Sequence, residues 1–238
     1  MRKVIFCFIS LYFIFGNAVY AQETASHLLK NNALAIKLGE HFYEHGNDFM
    51  DFWGIDENDM KSFALELAYE RKVTRRLGIE LALGHFKSSK TYSNVVFVGD
   101  SSNIEIENIY LSPTLKCYMP ANDTFIFYIG VGPDLYYTDG NYKYKTTGFS
   151  YDAKDDSFGL GAHGLAGVEW YVYKNPAANG LHDAPVSLLL EYKYSWINVD
   201  NADRKVIDDI NNYYGTAFNK NDLNVGGHTV FLGLRWHF

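Results

Sequence analysis

From Phe63 onward, apolar and polar positions alternate along the chain with a period of two. KSFALELAYE sets Phe63, Leu65, Leu67 and Tyr69 on one side and Ser62, Ala64, Glu66, Ala68 and Glu70 on the other. RLGIELALGHF divides in the same way, into Leu77, Ile79, Leu81 and Leu83 against Gly78, Glu80, Ala82 and Gly84. FIFYIGVGPDLYY and PVSLLLEYKYSW repeat the pattern, the first with Phe125, Phe127, Ile129 and Val131, the second with Leu188, Leu190, Tyr192 and Trp196. Successive side chains of a strand point to opposite faces, so each stretch predicts a strand with one apolar face. Four further strands are expected at about Ala33–Tyr43, Asn103–Tyr118, Ser157–Tyr173 and Val225–Phe238, making eight. In the fourth, Glu105 and Glu107 share a parity with Ile109, Leu111 and Leu115, and a β-bulge near Glu107 or Asn108 is expected to restore the phase.

The less apolar face decides between a soluble sandwich and a membrane barrel. It mixes Gly and Ala with isolated Glu, Lys, Tyr and Arg. That composition suits a narrow lumen, where small residues make room and charges pair. Aromatic residues gather at strand ends (Tyr69, Tyr118, Tyr137, Trp170, Trp196, Trp236), where amphipathic rings favour a membrane–water boundary. The connections alternate too. RKVTR and MPAND are short, whereas EHGNDFMDFWGIDENDM, KSSKTYSNVVFVGDSS, TDGNYKYKTTGFSYDAKDD and the span from about Asp200 to Asn224 are long. The expected fold is therefore all-β: an eight-stranded antiparallel up-and-down transmembrane barrel with four long extracellular loops and short periplasmic turns. Hydrocarbon tolerates no open sheet edge. TVFLGLRWHF must then close on ALAIKLGEHFY, with Trp236, Leu234, Leu232 and Val230 toward lipid and Arg235 inward.

MRKVIFCFISLYFIFGNAVYAQ has a positive start, a short apolar centre and small residues, Val19 and Ala21, at the −3 and −1 positions of a cut after Ala21, so residues 1–21 read as a cleaved signal peptide. Residues 22–32 then form an N-terminal periplasmic segment and 33–238 the barrel. Without the leader, 19 basic residues face 28 acidic ones, which disfavours nucleic acid as a partner. Cys117 is then the only cysteine, so neither an internal disulfide nor a thiolate metal site can form. Aromatics make up 17% of the chain, with 20 glycines and five prolines, which fits an exported barrel.

IYLSPTLKCYMPANDTFIFYIGVGPDLYYTD resembles the OmpW-like group of small outer-membrane β-barrels. The matching positions are Pro113, Tyr118, Tyr128, Gly130, Gly132 and Tyr136, echoed later by Gly167, Val168 and Glu169. The resemblance implies an outer-membrane location in a Gram-negative bacterium and an entry for small hydrophobic molecules. It also implies an assembly signal at Trp236 and Phe238, similar to the C-terminal aromatic that the outer-membrane assembly machinery reads.

Candidate sites follow from the strand parities. Lys37, Glu66, Glu80, Lys116, Tyr128, Glu169, Glu191, Lys193 and Arg235 are expected to form a lumenal polar network, either a pathway for a solute or a set of pairs that plugs the barrel. Phe49, Phe52, Trp53, Val96 and Phe97 form a candidate apolar mouth on the loop side, since exposed apolar loop residues want a partner. His41 and His45 would lie about 13 Å apart on a strand, too far to share an ion, and are expected at the loop surface. The acidic stretches DAKDDS and GIDENDM lack the EF-hand spacing. His85, Ser88 and Ser89 are the nearest approach to a hydrolase set, but no acid orients His85 in the sequence. No enzyme activity, metal or cofactor is expected. The expected partners are outer-membrane lipids and lipopolysaccharide, the assembly machinery and a small hydrophobic ligand, the barrel being a monomer. Passive binding or passage of that ligand is the leading function. A non-transporting structural or surface-interaction barrel is the alternative.

Overall fold

The computed structural model describes residues 31–44, 56, 60–93, 101–122, 124–146, 149–173, 185–199, 204–214, 217 and 223–238. The expected signal peptide, most of the segment to residue 32 and all five residues of the apolar mouth lie outside these. Eight long strands form one antiparallel sheet: β1 Asn32–Tyr43, β2 Ser62–Lys72, β3 Leu77–Ser93, β4 Ser101–Pro120, β5 Phe125–Thr146, β6 Phe149–Tyr173, β7 Val186–Val199 and β9 Gly227–His237. Between β7 and β9 come a helix, α1 (Arg204–Tyr214), and a two-residue strand, β8 (Leu223–Asn224), which pairs with the end of β7.

The sheet closes on itself. β1 pairs with β9 from Ala33↔His237 to Tyr43↔Gly227, so the last long strand and the first protect each other's edges. Following paired residues once around, from Asn32 through Arg71, Ile79, Leu115, Val131, Gly164, Tyr194 and His228, returns to β1 at Phe42, ten residues further on. A stagger of that size over eight strands tilts them by about 42° from the barrel axis, taking ~3.4 Å per residue and ~4.8 Å between strands.

The outside is a belt of exposed apolar side chains, among them Leu34, Ile36 and Leu38 of β1, Leu77 to Leu83 of β3, and Phe125 to Leu135 of β5. On β5 that stretch rises about 25 Å along the axis at this tilt, the height of a bilayer's apolar band. The short turns close one end of the belt, and at the other β3 to β6 continue well past it. Outward positions there become polar: Lys87 on β3, Glu105 and Glu107 on β4, Asp139 and Lys143 on β5, Asp152 and Lys154 on β6. Inward positions become apolar, with Ile104 and Ile106 buried among Tyr43, Met60, Phe86, Tyr142 and Val199.

This inversion corrects two expectations. β4 pairs with β3 in one unbroken register from Leu77↔Cys117 to Ser93↔Ser101, so there is no bulge at Glu107 or Asn108. The strand keeps its phase and its surroundings change: Glu105 and Glu107 face outward above the apolar belt, where Lys87 Nζ lies 2.8 and 3.6 Å from them. A register shift occurs instead between Tyr171 and Tyr173, at the β6–β7 edge. The stretch expected as the long loop Thr138–Asp156 is strand on both sides of residues 147–148, and much of the expected loop from Lys87 to Ser102 is strand as well. Their polar outer residues read as loop because no hydrocarbon faces them.

The helix was not anticipated. In RKVIDDINNYY, Val206, Ile207 and Ile210 recur at helical spacing, and Ile207 is fully buried. α1 lies on the inward face of β6: Asp155 Oδ2 accepts the Lys205 backbone N–H at 2.7 Å, capping the first turn, and Tyr151 donates to Asp209 at 2.8 Å. Burial and the Asp209 carboxylate push the Tyr151 phenol up, so it stays a donor.

Candidate functional site

The lumen is the candidate site. Every long strand contributes to it through the parity that faces away from the belt. Glu66 and Glu70 come from β2, Glu80 from β3, Lys116 from β4, Asp134 from β5, Glu169 from β6, Glu191 and Lys193 from β7, Arg235 from β9 and Lys37 from β1, all buried. Lys37 Nζ stands inside a triangle of carboxylates and donates to Glu66 at 2.7 Å, Glu80 at 2.9 Å and Glu191 at 2.8 Å. One oxygen of each lies within 4.8 Å of the others, the spacing of a metal cage, with the ammonium at the place of the ion. Lys116 Nζ reaches Glu80 at 2.6 Å and Glu191 at 3.1 Å and sits 4.6 Å from the Tyr128 ring. Arg235 binds Glu70, Glu80 and Glu169 at 3.0–3.2 Å. Lys193 Nζ lies 3.4 Å from Asp134 and 3.9 Å from Glu66, and donates to Ser112 at 2.7 Å.

Tyrosines tie the charges to the wall. Tyr128 donates to Glu191 at 2.9 Å and Tyr110 to Glu66 at 2.8 Å. Their rings lie over glycines: a Cβ on Gly167 would meet Tyr128 Cζ at 2.4 Å, and one on Gly84 would meet Tyr110 Cζ at 2.0 Å. A glycine on one strand is what lets a large ring on another cross the narrow bore. Two histidines extend the net: His163 Nδ1 lies 2.9 Å from Asp134, and His237 Nε2 lies 2.6 Å from Glu169.

Lys37, Glu66, Glu80, Lys116, Tyr128, Glu169, Glu191, Lys193 and Arg235 are buried on the inward parity, in one connected set with Glu70, Asp134, His163 and His237. Among the described residues the buried charges number six carboxylates and five permanent cations. Near-neutrality of that kind selects for neither sign of ion, and every one of these groups except Lys72 makes an ion pair within the wall. What the sequence could not show was which acid meets which base, because pairs such as Lys37–Glu191 and Arg235–Glu80 cross the bore between strands far apart in the chain.

Other candidates are placed differently. His41 is a lumen residue and not a loop-surface one: it is buried, stacks on Phe86 at 4.1 Å, and shares a hydrogen bond with Thr229 at 2.9 Å. The strand ends at Tyr43, as expected, and its inward parity carries His41 into the bore together with Ala33, Lys37 and Tyr43. His45 lies outside the described residues. His85 does have an acid: Glu107 Oε1 lies 2.9 Å from its Nε2, on the outer wall. Ser88 points inward to the Tyr43 hydroxyl, however, and Ser89 is an outward residue next to Asn103. No Ser–His–acid set forms from these groups. Trp236 pairs with Leu34 and Val186, and Phe238 exchanges backbone hydrogen bonds with Asn32.

Above the charged net the lumen is apolar and aromatic. Phe86, Tyr110 and Tyr136 pack ring on ring, Tyr110 and Tyr136 at 5.0 Å, beneath Ile104, Ile106, Ile197, Val199, Leu223 and Val225.

No curated protein matches the sequence. Among solved structures, the chain is similar to Neisserial surface protein A (16% identity, 91% of this chain and 100% of that one, TM-score 0.47). It is likewise similar to OprG of Pseudomonas aeruginosa (15%, 89% and 99%, TM-score 0.46) and to Ail, the attachment invasion locus protein of Yersinia pestis (13%, 89% and 100%, TM-score 0.41). Residues 18–238 match the family described as outer membrane protein beta-barrel domain. With nearly the whole chain in that match, a closed eight-stranded barrel and a lipid-facing belt, the protein belongs to the outer-membrane β-barrel family and resides in the outer membrane of a Gram-negative bacterium.

Proposed function

We propose that the protein is a non-conducting barrel whose purpose is to hold an ordered, polar-surfaced β-structure outside the cell. The observation that carries this reading is the ion-pair net joining all eight long strands across the lumen, with Glu80 bound at once by Lys37, Lys116 and Arg235. A permeating solute would have to break several buried pairs at once, and leaving one such charge unpaired costs about 3–5 kcal/mol. Beyond the belt, β3 to β6 present Lys87, Glu105, Asp139, Lys143, Asp152 and Lys154 to water, a surface suited to envelope or extracellular contacts. The reading includes no chemistry, since Ser88 faces the lumen while His85 and Ser89 lie on the outer wall, where His85 meets Glu107 and Ser89 meets Asn103. Planar-bilayer recording tests it. Wild-type protein should show no steady conductance, and steady wild-type current would overturn the proposal.

Passage of small hydrophobic compounds, which the OmpW-like resemblance implies, is the second reading. The apolar cluster of Ile104, Ile106, Phe86 and Val199 at the loop end favours it, as the lining such a solute would meet. Uptake of an apolar dye by cells with and without the protein separates the two.

A further inference from the structure

The two ends of the outer wall differ in charge. Every outward-facing carboxylate among the described residues in the strands (Glu40, Glu105, Glu107, Asp139, Asp152, Asp156) stands at the long-loop end. At the other end, the β2–β3 turn reads Arg71-Lys72-Val73-Thr74-Arg75-Arg76, four cations in six positions. Lys72 is turned into the lumen, whereas Arg71 and Arg75 are exposed and Arg76 is half-buried. The turn is held in shape by its own hydrogen bonds: Val73 and Thr74 N–H donate to Leu77 O at 2.8 and 3.1 Å, and Thr74 Oγ1 accepts from Arg76 and Leu77 at 3.2 and 3.0 Å. Val73, at the tip, is 62% exposed, and Leu77 and Ile79 continue the apolar surface from the turn into the belt.

We infer that this turn binds the phosphate headgroup of an anionic phospholipid in the periplasmic leaflet. Guanidinium groups recognise phosphate oxygens in pairs, and basic residues at an anionic membrane surface contribute roughly a fivefold gain in affinity each. A free phosphate or an acidic polymer would use the arginines alone. An amphiphile also uses Val73, Leu77 and Ile79, which put acyl-chain surface directly beside the cations. The chain as a whole carries net charge −7, so attraction of an anion to this end is a local property of the turn, working against the protein's net field. The site would fix the depth and orientation of the barrel and enrich one lipid class around it.

The test uses the full mature barrel, refolded in neutral detergent, with binding of phosphatidylglycerol and of phosphatidylethanolamine measured by native mass spectrometry. Wild type should prefer phosphatidylglycerol and show no comparable response to inorganic phosphate or glycerol phosphate. Arg71→Gln/Arg75→Gln/Arg76→Gln should lose about a hundredfold in affinity for phosphatidylglycerol. Lys143→Gln/Lys145→Gln/Lys154→Gln, on the opposite end, should lose nothing. Equal losses in both triple variants would reduce the effect to net charge and overturn the proposal. So would an unchanged preference in the arginine variant, and a wild-type response to inorganic phosphate as large as that to the lipid would assign a free-anion site instead. If the arginine triple variant does not refold, Arg75→Gln alone, at an exposed turn position, should still weaken binding about fivefold, and no change there counts against the lipid site.

Discussion

The lower and upper halves of the lumen are walled by the same strands and built on opposite principles. Below, Lys37, Glu66, Glu80, Lys116, Glu191 and Arg235 fill the bore with buried charge, pair against pair. Above, Ile104, Ile106, Phe86 and Val199 fill it as an ordinary apolar core. The difference follows what surrounds the wall. Where hydrocarbon is outside, the apolar parity of each strand is drawn outward and the polar parity is left to pair within. Where water is outside, the hydrophobic effect turns the same strand's apolar residues inward. β4 passes through both regimes in a single register, with Leu111 outward below and Ile106 inward above.

The comparison can be broken most strongly in the charged half. Lys37→Met removes the ammonium from among three carboxylates and should destabilise the barrel by about 3–5 kcal/mol, read as a lowered midpoint in urea titration followed by tryptophan fluorescence. A second removal, Glu80→Gln in the Lys37→Met background, should cost less than the sum of the two, because the groups share one net. In the apolar half, Ile106→Ala leaves a cavity and should cost about 2–4 kcal/mol, with no dependence on pH between 5 and 8 in the same titration. Between the halves, Gly84→Ala forces Tyr110 off its place and away from Glu66. Overpacking of this kind should cost about 1–3 kcal/mol, and the companion change Tyr110→Phe, which keeps the ring, should not relieve it. The smallest effect belongs to the water-facing wall: Lys87→Gln breaks exposed pairs with Glu105 and Glu107 and should shift the midpoint by no more than about 0.5 kcal/mol. A Lys87→Gln effect equal to that of Lys37→Met would erase the distinction between the two regimes.

Much of this was legible in the residues. The parity of RLGIELALGHF places Leu77 to Leu83 in the belt and Glu80 in the lumen, and the need for a closed edge pairs β9 with β1. The rest depends on a change of solvent along single strands, which parity does not show. Glu105 and Glu107 are out of phase only for a β4 with lipid outside along its whole length, and the polar outer ends of β5 and β6 resemble loop for the same reason. His41 differs from its expected loop-surface place in the same way: Glu40 beside it is exposed on the outer wall, while the inward parity of β1 continues into a packed bore. Helix α1 was hidden in a segment read only as a connection, although Val206, Ile207 and Ile210 carry its spacing.

By itself the sequence determined the period of two, the eight long strands, the face each side chain takes relative to its neighbours and the membrane that such a cylinder requires. These depend on local geometry and on the prohibition of open backbone in hydrocarbon, and both act along the chain. Only the tertiary structure decided that Lys37 meets Glu66, Glu80 and Glu191, that His85 meets Glu107, and how high each strand rises. Those depend on a ten-residue stagger accumulated over eight pairings, and no stretch of sequence contains it.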